Sequence, residues 1–337
     1  MGKFVFGTLS SGADVTAYVI RGGNLEVTLL DYGATVQSIR YRGFDVALGY
    51  DTAEEYETSN RYFGATIGRV ANRIRDGKFS LGRRSYSLFK NDGNNTLHGG
   101  EFGFDKFVWE VESYSDSEIR FKRLSPDGEE GFPGNLLVGV RYYVEGDNLG
   151  IEYIAVSDKD TVVNLTNHTY FNLNSEEPVD NMFLSIRADY YTPIDKSLIP
   201  TGKFLPVKGS PLDFNWAKFI GKDINDEYSQ LELANGYDHN FILRGDGFRE
   251  VAVLSSARNN ILMRCFTDRP ALQLYTGNFL NGDRGKKGVS YLKRYGVCLE
   301  TQAFPNAVNE KEFPSCSLKK GEIFRSVTEY RFEDFND

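Results

Sequence analysis

The sequence predicts an all-β protein, a large antiparallel β-sandwich with few short helices. Short β-rich segments recur along the chain, and turns rich in Gly, Asn and Asp separate them. The alternation of strands and long helices that indicates a parallel sheet is absent from the pattern. The chain also contains 25 Phe and 20 Tyr. Because aromatic rings pack well on a pleated surface, this enrichment favours strands.

The individual strands follow from alternating apolar and polar residues, which indicate a half-buried strand. Residues 138–144 and 149–156 flank a turn of Glu145, Gly146, Asp147 and Asn148, and therefore predict a hairpin. In chain order we expect strands at residues 15–20, 25–30, 36–41, 138–144, 149–156 and 322–330. Helical periodicity is scarce, and we expect short helical turns only at residues 54–60 and 224–233.

The chain has 337 residues, a length for which about 150 residues per domain would suggest two domains. All-β folds, however, often run to ~200–250 residues as one domain. The sequence contains no Pro-rich or Ser-rich linker, no block of like charges and no internal repeat. We therefore predict a single domain over residues 1–337.

Composition excludes several classes of partner. The formal net charge is −8 and there is no basic run, which disfavours binding to nucleic acid or to an anionic membrane surface. The chain lacks both a stretch of ~20 apolar residues and the apolar core of a signal peptide. Its three cysteines are odd in number and form no CxxC, which favours reduced thiols. We expect a cytoplasmic protein.

Three histidines, all in polar surroundings, are candidates for chemistry. His98 precedes Gly99 and Gly100, which permit positive φ and close approach of a ligand to the backbone. His168 lies in an Asn-rich segment. If that segment is a strand, His168 faces away from Asn167 and Thr169. From residue type alone, a turn histidine or a structural histidine explains these positions as well.

Two acidic residues are further candidates. Asp238 and His239 are adjacent, so on a strand only one of them can face a given pocket, and the sequence does not decide which. Glu300 ends an apolar strand just before a loop that contains Pro305. A solvated surface glutamate is the alternative interpretation of Glu300.

Several common sites are not indicated. The histidine spacings match no zinc motif such as HExxH, so we predict no metal site. The glycine-rich segment 282–288 has the wrong spacing for a phosphate-binding P-loop. The GxSxG elbow of hydrolases is also absent.

Seven segments together carry a family resemblance. They are GRVANRI at 68–74, LHGG at 97–100 with GFDK at 103–106 and Trp109, SPDGEEGFPG at 125–134, LTNHTYFNL at 165–173, GYDHN at 236–240, QLYTGN at 273–278 and LETQ at 299–302. In this order they resemble the galactose mutarotase (aldose 1-epimerase) family, whose fold is a large antiparallel supersandwich. Thr169 stands where the family usually has Ser. Arg269 and Ala271 depart from the family's usual TDQPGLQ in the stretch that ends at Gln273.

The resemblance implies an enzyme that interconverts the α and β anomers of free hexoses such as galactose and glucose. It implies Glu300 as the base, His168 as the acid, and His98 as a hydrogen-bonding group near the ring oxygen. It also implies that a further set of side chains holds the sugar hydroxyls. These are Asn72, Arg73, Asp238 and Gln273. The expected partner is a free aldohexose, without metal or organic cofactor, and the protein is expected to be a monomer or a homodimer.

Ordinary pKa values suit these roles. A Glu with a pKa near ~4.3 is ionised at neutral pH, and a carboxylate neighbour is expected to raise the pKa of a His above ~6.5. One alternative is a hexose-6-phosphate 1-epimerase, which needs a cationic pocket from Arg69, Arg73 and Arg269. Another is a non-catalytic carbohydrate-binding β-sandwich, which needs aromatic and polar contacts but not both His168 and Glu300.

Overall fold

Strands dominate the computed structural model, which describes residues 2–175 and 177–335. In chain order the strands are β1 (Gly2–Thr8), β2 (Asp14–Gly22), β3 (Leu25–Leu30), β4 (Thr35–Tyr41), β5 (Phe44–Asp45), β6 (Thr66–Ile67), β7 (Arg73–Ile74), β8 (Lys78–Leu81), β9 (Arg84–Ser87), β10 (Thr96–Leu97), β11 (Glu110–Tyr114), β12 (Glu118–Ser125), β13 (Leu136–Glu145), β14 (Asn148–Ser157), β15 (Thr161–Val162), β16 (Thr166–Asn167), β17 (Tyr170–Phe171), β18 (Phe183–Ile186), β19 (Ala188–Thr192), β20 (Leu205–Pro206), β21 (Lys218–Phe219), β22 (Asp238–Leu243), β23 (Arg249–Ser256), β24 (Ile261–Thr267), β25 (Ala271–Tyr275), β26 (Asp283–Arg284), β27 (Ser290–Tyr291), β28 (Val297–Gln302), β29 (Ser317–Leu318) and β30 (Ile323–Asp334). The all-β prediction is confirmed.

The strands expected from alternation are present. The segment 25–30 coincides with β3, and the expected hairpin is formed by β13 and β14, which pair antiparallel from Leu136 with Ser157 to Glu145 with Asn148. The last predicted strand continues beyond residue 330 as β30. Local alternation therefore located these strands to within a few residues.

Two short α-helices occur in the described chain, α1 (Ala53–Thr58) and α2 (Ser229–Ala234). A capping box starts α1, because Thr52 and Glu55 satisfy each other's backbone N–H groups. Asn235, in the left-handed conformation with φ 58°, ends α2. Both helices are shorter than the segments 54–60 and 224–233 predicted for them. Neither combines the length and apolarity that a helix needs to cross a membrane.

Three antiparallel sheets form the body of the fold. Their strand orders are β1-β2-β3-β4-β5, β11-β12-β13-β14-β30-β24-β23-β18-β21 and β17-β28-β25-β22-β19-β20. Residues of all three sheets belong to one buried hydrophobic cluster. The sandwich arrangement agrees with the predicted fold class.

The six-stranded sheet packs one face against the nine-stranded sheet. Leu272, Leu274 and Leu299 on that face are fully buried in the same cluster as Met263 and Tyr330 of the other sheet. The hydroxyl of Tyr330 also donates a hydrogen bond to the carbonyl of Leu299 at 2.9 Å. Because side chains alternate along a strand, the residues between these leucines point to the opposite face.

That opposite face is polar. In the ladder, Asn240 of β22 lies beside Gln273 of β25, which lies beside Glu300 of β28. One step along, Asp238 pairs with Tyr275, and Tyr275 with Cys298. Residues far apart in sequence therefore meet on one patch of the sheet, and the candidate site lies there.

Candidate active site

A cavity of about 140 Å³ opens over the polar face of the six-stranded sheet. Its walls come from that sheet, from the segment that includes β7 and from the turn after β10. The lining residues are Asn60, Arg61, Tyr62, Asn72, Arg73, Leu97, His98, His168, Tyr170, Asp238, Tyr275, Phe279 and Glu300. Six of the seven site residues expected from the sequence are among them. The seventh, Gln273, is buried beside Asp238 and does not line the cavity.

Glu300 occupies the floor of the cavity. It lies within β28, between the buried neighbours Leu299 and Thr301, and its side chain is only 2% exposed. Burial raises the pKa of its carboxyl well above the usual value, and the nearby Asp238 adds to this effect. The alternative of a solvated surface glutamate is therefore wrong. The expectation of an ordinary pKa near ~4.3 is wrong as well.

His168 lies in the short connection between β16 and β17 rather than within a strand, so the strand alternation assumed for it does not apply. Its backbone is fixed on both sides. Its N–H donates to Ala65, and its carbonyl accepts from Gly64. The hydroxyl of Thr169 donates to the side chain of Asn167 at 2.5 Å and closes the turn. The usual Ser would supply the same hydroxyl, so this departure preserves the turn.

The imidazole of His168 approaches the carboxylate of Glu300, with 3.6 Å between Nε2 and Oε1. General acid–base catalysis on one small substrate needs two such groups at close quarters. We expected the carboxylate to raise the pKa of this histidine. Burial instead lowers the pKa of His168 to about 4, because the ring is removed from water.

His98 stands beside His168, with the ring centroids 5.2 Å apart in an edge-to-face arrangement. Its Nδ1 accepts a hydrogen bond from the backbone N–H of Asn72 at 3.2 Å, so the ring proton of the neutral imidazole is on Nε2. Burial lowers its pKa well below the usual value. His98 is thus a neutral hydrogen-bond donor.

The two glycines after His98 adopt the positive φ that the sequence predicted, 98° at Gly99 and 119° at Gly100. The close approach, however, is made by the protein itself. A Cβ on Gly99 would lie within 2.0 Å of the carbonyl oxygen of Gly68. Gly99 therefore lets two segments of the site's wall meet.

The structure decides between Asp238 and His239. Asp238 faces the cavity, where Gln273 Nε2 donates to its Oδ1 at 2.6 Å. His239 faces the hydrophobic core and contacts the ring of Tyr191. Arg73, at the cavity wall, pairs with Asp92 at 2.7 Å. Gln273 is placed to orient Asp238, whereas the resemblance implied direct contact with the sugar.

Sequence reasoning missed the aromatic walls. Tyr62 lies 4.7 Å from His98 between ring centroids, and Tyr170 stacks on His168 at 5.0 Å. Tyr275 could have been found, because it is two residues from Gln273 on the same strand and so shares its face. Phe279 and Arg61 come from loops, for which no local pattern gives the direction of the side chain.

Three side chains of the site contain potential metal-ligand atoms within 4.8 Å of one another, namely His168, Cys298 and Glu300. The sulfur of Cys298 approaches Nδ1 of His168, whereas the carboxylate approaches Nε2. An imidazole presents one nitrogen to a cation, so two partners on opposite ring nitrogens suit hydrogen bonding to the ring better than a shared ion.

The cations proposed for a phosphate pocket are dispersed. Arg69 is 2% exposed, and its guanidinium donates to Ser125, Pro126 and Pro133, outside the cavity. Arg269 lies against the ring of Phe324 and does not line the cavity. Only Arg73 of the three reaches the site. The conspicuous Arg69 of the GRVANRI segment is thus a structural residue.

Known proteins resemble this chain over nearly its whole length. Galactose mutarotase of Sus scrofa is 41% identical over 341 residues, which cover 98% of each chain. Aldose 1-epimerase of Escherichia coli (strain K12) is 39% identical over 317 residues, 91% of each chain. The crystal structure of galactose 1-epimerase from Lactobacillus acidophilus superposes with a TM-score of 0.88 at 33% identity, covering 99% of this chain and 98% of that one.

A family model described as aldose 1-epimerase matches residues 16–331. This range includes the segments on which the resemblance was recognised and the lining of the cavity. The match and the near full-length relatives favour an enzyme over a non-catalytic carbohydrate-binding module. The chain belongs to the aldose 1-epimerase family of enzymes.

Proposed function

We propose that this mutarotase opens and recloses the pyranose ring of a free aldohexose with Glu300 as base and His168 as acid. The observation that carries the assignment is the 3.6 Å approach of His168 Nε2 to Glu300 Oε1 on the floor of the cavity. Both groups can then reach the two oxygens bonded to C1 of one sugar. Carboxylate and imidazole are the usual groups for such proton transfers.

The reaction needs two proton transfers in each direction. Glu300 takes the proton of the C1 hydroxyl while His168 gives a proton to the ring oxygen, so that the bond from C1 to the ring oxygen breaks and a carbonyl forms. The bond between C1 and C2 then rotates. On closure His168 takes the proton of the attacking hydroxyl, and Glu300 returns a proton to the carbonyl oxygen. The opposite anomer results and the enzyme is unchanged.

The shifted pKa values favour one state of this cycle, the one reached when the ring has opened, and disfavour the ionised pair that starts ring opening. Burial raises the pKa of Glu300 and lowers that of His168, so the buried pair favours a protonated carboxyl beside a neutral imidazole. That is the state of the pair while the sugar is open. The ring-closed state differs only by the position of one proton, so the net charge of the pair stays constant throughout the cycle.

The remaining side chains would hold the sugar. His98 would donate its Nε2 proton near the ring oxygen, and Asp238, Arg73 and Asn72 would bind hydroxyl groups. Gln273 would act through Asp238, to which it donates. Carboxylate and guanidinium groups form strong, directional hydrogen bonds to hydroxyls.

We infer that the substrate is an unphosphorylated sugar such as galactose or glucose. The relatives named for galactose support this choice. So does the site's charge, because Arg73 is paired with Asp92 and Arg61 with Asp283. The three cysteines are buried free thiols, which supports a cytoplasmic location. We expect a monomer or a homodimer.

Polarimetry tests the substrate. Freshly dissolved α-D-galactose, α-D-glucose and glucose 6-phosphate are each followed with and without the protein. We expect faster equilibration of the two free sugars and little effect on the phosphate. Acceleration confined to glucose 6-phosphate would establish the alternative 6-phosphate epimerase, and no acceleration at all would contradict the proposal.

Two variants test the residue roles. Glu300→Gln and His168→Asn each remove a proton-transfer group and are expected to lower kcat about 10²- to 10⁴-fold. Thermal unfolding should show that both proteins stay folded, because a buried ionisable group is replaced by a neutral amide that is no larger. A variant that retains most of the wild-type kcat would refute the role of the residue it changes.

A further inference from the structure

The ammonium group of Lys106 binds the end of helix α1, behind one wall of the cavity. Its Nζ donates to the carbonyls of Tyr56 and Glu57, both at 3.1 Å, and to that of Ser59 at 2.5 Å. We propose that Lys106 is a positioning residue, which holds the segment after α1 so that the ring of Tyr62 forms a fixed wall of the sugar cavity. This inference rests on the proposed binding of a free sugar in that cavity.

Helix α1 takes its C-terminal cation from a distant part of the chain. The last carbonyl groups of a helix have no partner within the helix, and this end carries a partial negative charge. The first turn of α1 contains Glu54 and Glu55, but its last turn contains no basic residue. An ammonium group has three N–H donors, and three carbonyls accept from Lys106. Lys106 therefore supplies both the charge and the donors that α1 lacks.

The segment held in this way leads directly into the cavity. Ser59 ends α1 and is followed by Asn60, Arg61 and Tyr62, all three of which line the cavity. The backbone of Tyr62 has φ 57°, a left-handed conformation that costs free energy in a non-glycine residue and persists only where surrounding contacts hold it. Lys106 does not itself line the cavity, so it can affect a bound sugar only through the residues it holds.

Lys106 connects two parts of the cavity wall that are distant in sequence. Its own turn, Phe104–Lys106, follows the wall residues Leu97 and His98 along the chain. That turn is fixed in place, because the backbone N–H of Phe104 donates to the carbonyl of Gly68 at 3.3 Å. The lysine side chain, only 18% exposed, spans from this fixed turn to α1. Water therefore competes little with the ammonium group for the three carbonyls.

The placement of Tyr62 matters more for sugar binding than for proton transfer. Its ring lies beside both site histidines, with centroid distances of 4.7 Å to His98 and 5.9 Å to His168. Each histidine nevertheless has a backbone anchor of its own, because the N–H of His168 donates to Ala65 and that of His98 to Asn72. A displaced Tyr62 thus leaves the histidines in place and removes a preformed wall. Binding must then supply the cost of ordering that wall.

Steady-state kinetics with galactose test the proposal. Lys106→Met removes the donors and keeps an apolar side chain of similar length, so we expect KM to rise about tenfold while kcat stays within about threefold of wild type. Lys218→Met is the matched control. Lys218 is 11% exposed and donates to the carbonyl of Pro211 and to Asp223, and none of these residues lines the cavity. An unchanged KM in Lys106→Met, or an equal rise in both variants, would overturn the inference.

A double-mutant cycle with Tyr62→Ala separates positioning from a general loss of stability. Tyr62→Ala removes the wall itself and should raise KM. If Lys106 acts through Tyr62, adding Lys106→Met to Tyr62→Ala should change KM by less than about twofold, because residues that act together are not additive. A double variant whose rise in KM equals the product of the two single rises would show that Lys106 acts by another route, contrary to the proposal.

Hydrogen exchange of the sugar-free protein follows the segment directly. Backbone amides of residues 53–62 should exchange about tenfold faster in Lys106→Met than in wild type and at the wild-type rate in Lys218→Met, because local opening becomes easier when the contacts of a segment are lost. Lys106→Gln keeps one donating group and should give smaller changes in the same direction, and it replaces Lys106→Met if that variant does not fold. Unchanged exchange in the Lys106 variant would overturn the inference.

The outcome for the proposed function can be distinguished from the outcome for Lys106. A wild-type protein that accelerates the mutarotation of no free sugar contradicts the proposed function and, with it, this inference. An active wild-type protein combined with a wild-type KM in Lys106→Met contradicts the inference alone.

Discussion

The two faces of the six-stranded sheet are equally buried but chemically opposite. Leu299 and Glu300 are neighbours on β28, with exposed fractions of 1% and 2%. Leu299 packs between the two large sheets, whereas Glu300 forms the floor of a cavity among histidines and an aspartate. The fraction of buried surface therefore does not distinguish a structural position from a functional one.

The distinction lies in how polar atoms are satisfied. On the cavity face, Glu300 Oε2, Gln273 Oε1 and both side-chain polar atoms of Asn240 and Gln302 have no hydrogen-bond partner within the described residues. Buried polar atoms in folded proteins are nearly always paired, and Glu300, whose side chain lines the cavity, therefore has an oxygen available to a polar molecule bound there. The leucine face instead gains its stability from dry packing.

Leu299→Ala should lower the free energy of unfolding and leave kcat nearly unchanged, whereas Glu300→Gln should do the opposite. Removing a fully buried leucine side chain is expected to lower the free energy of unfolding by about 3 kcal/mol, through lost burial and the cavity left behind. The kcat of the folded fraction should stay within about twofold of wild type, as expected for a residue that contacts no reacting atom. Urea unfolding and polarimetry measure the two quantities.

A fall in kcat comparable to that of Glu300→Gln, with stability unchanged, would show that the two faces are not functionally separate. Val297→Ala provides a matched control on the same face, because Val297 is also fully buried in the core cluster. It should give a smaller loss of stability, since fewer methyl groups are removed.

His239, on the core face, should affect the pH dependence of stability. Burial lowers its pKa to about 3, well below that of the unfolded chain. The unfolded state therefore binds more protons as pH falls through ~6.5, and stability is lost on acidification. Between about pH 7 and about pH 5, the free energy of unfolding should fall by about 2 kcal/mol more in the wild-type protein than in His239→Gln.

Urea unfolding of both proteins at the two pH values measures this difference. His168, whose pKa burial also lowers, is present in both proteins, so its contribution cancels in the comparison. Equal pH dependence of the two proteins would mean that His239 is protonated in the folded state, contrary to its placement in the core.

Gln273→Ala should produce the smallest effect, and mainly on KM. Its amide donates to Asp238 at 2.6 Å, so its loss leaves the carboxylate proposed to bind the sugar without one of its fixed partners. A hydrogen bond to a charged group contributes about 1.5 kcal/mol, so we expect a rise in KM of about tenfold. Gln302→Ala is the control, because Gln302 shares the face but makes no hydrogen bond to Asp238. Equal effects of both substitutions would argue against positioning of Asp238 by Gln273.

Much of this picture could be predicted from the sequence. Alternation over segments such as 25–30 located strands, because side-chain direction along a strand is a local property. The ordered motifs identified Glu300, His168, His98, Asn72 and Arg73, all of which line one cavity. The single-domain organisation stays a prediction. The sequence could not tell whether His168 lies in a strand or a turn, since the shape of the turn depends on hydrogen bonds to residues about a hundred positions away.

The sequence by itself determined the strand-rich fold class and the candidate residues of the site, because alternation and motif order are written along the chain. Only the tertiary structure decided that Asp238 faces the cavity and His239 the core, since a strand has two faces and the covering sheet selects between them. Only tertiary contacts made Glu300 harder to ionise and His168 harder to protonate, because desolvation comes from residues distant in sequence. The same long-range packing placed Cys298 against His168.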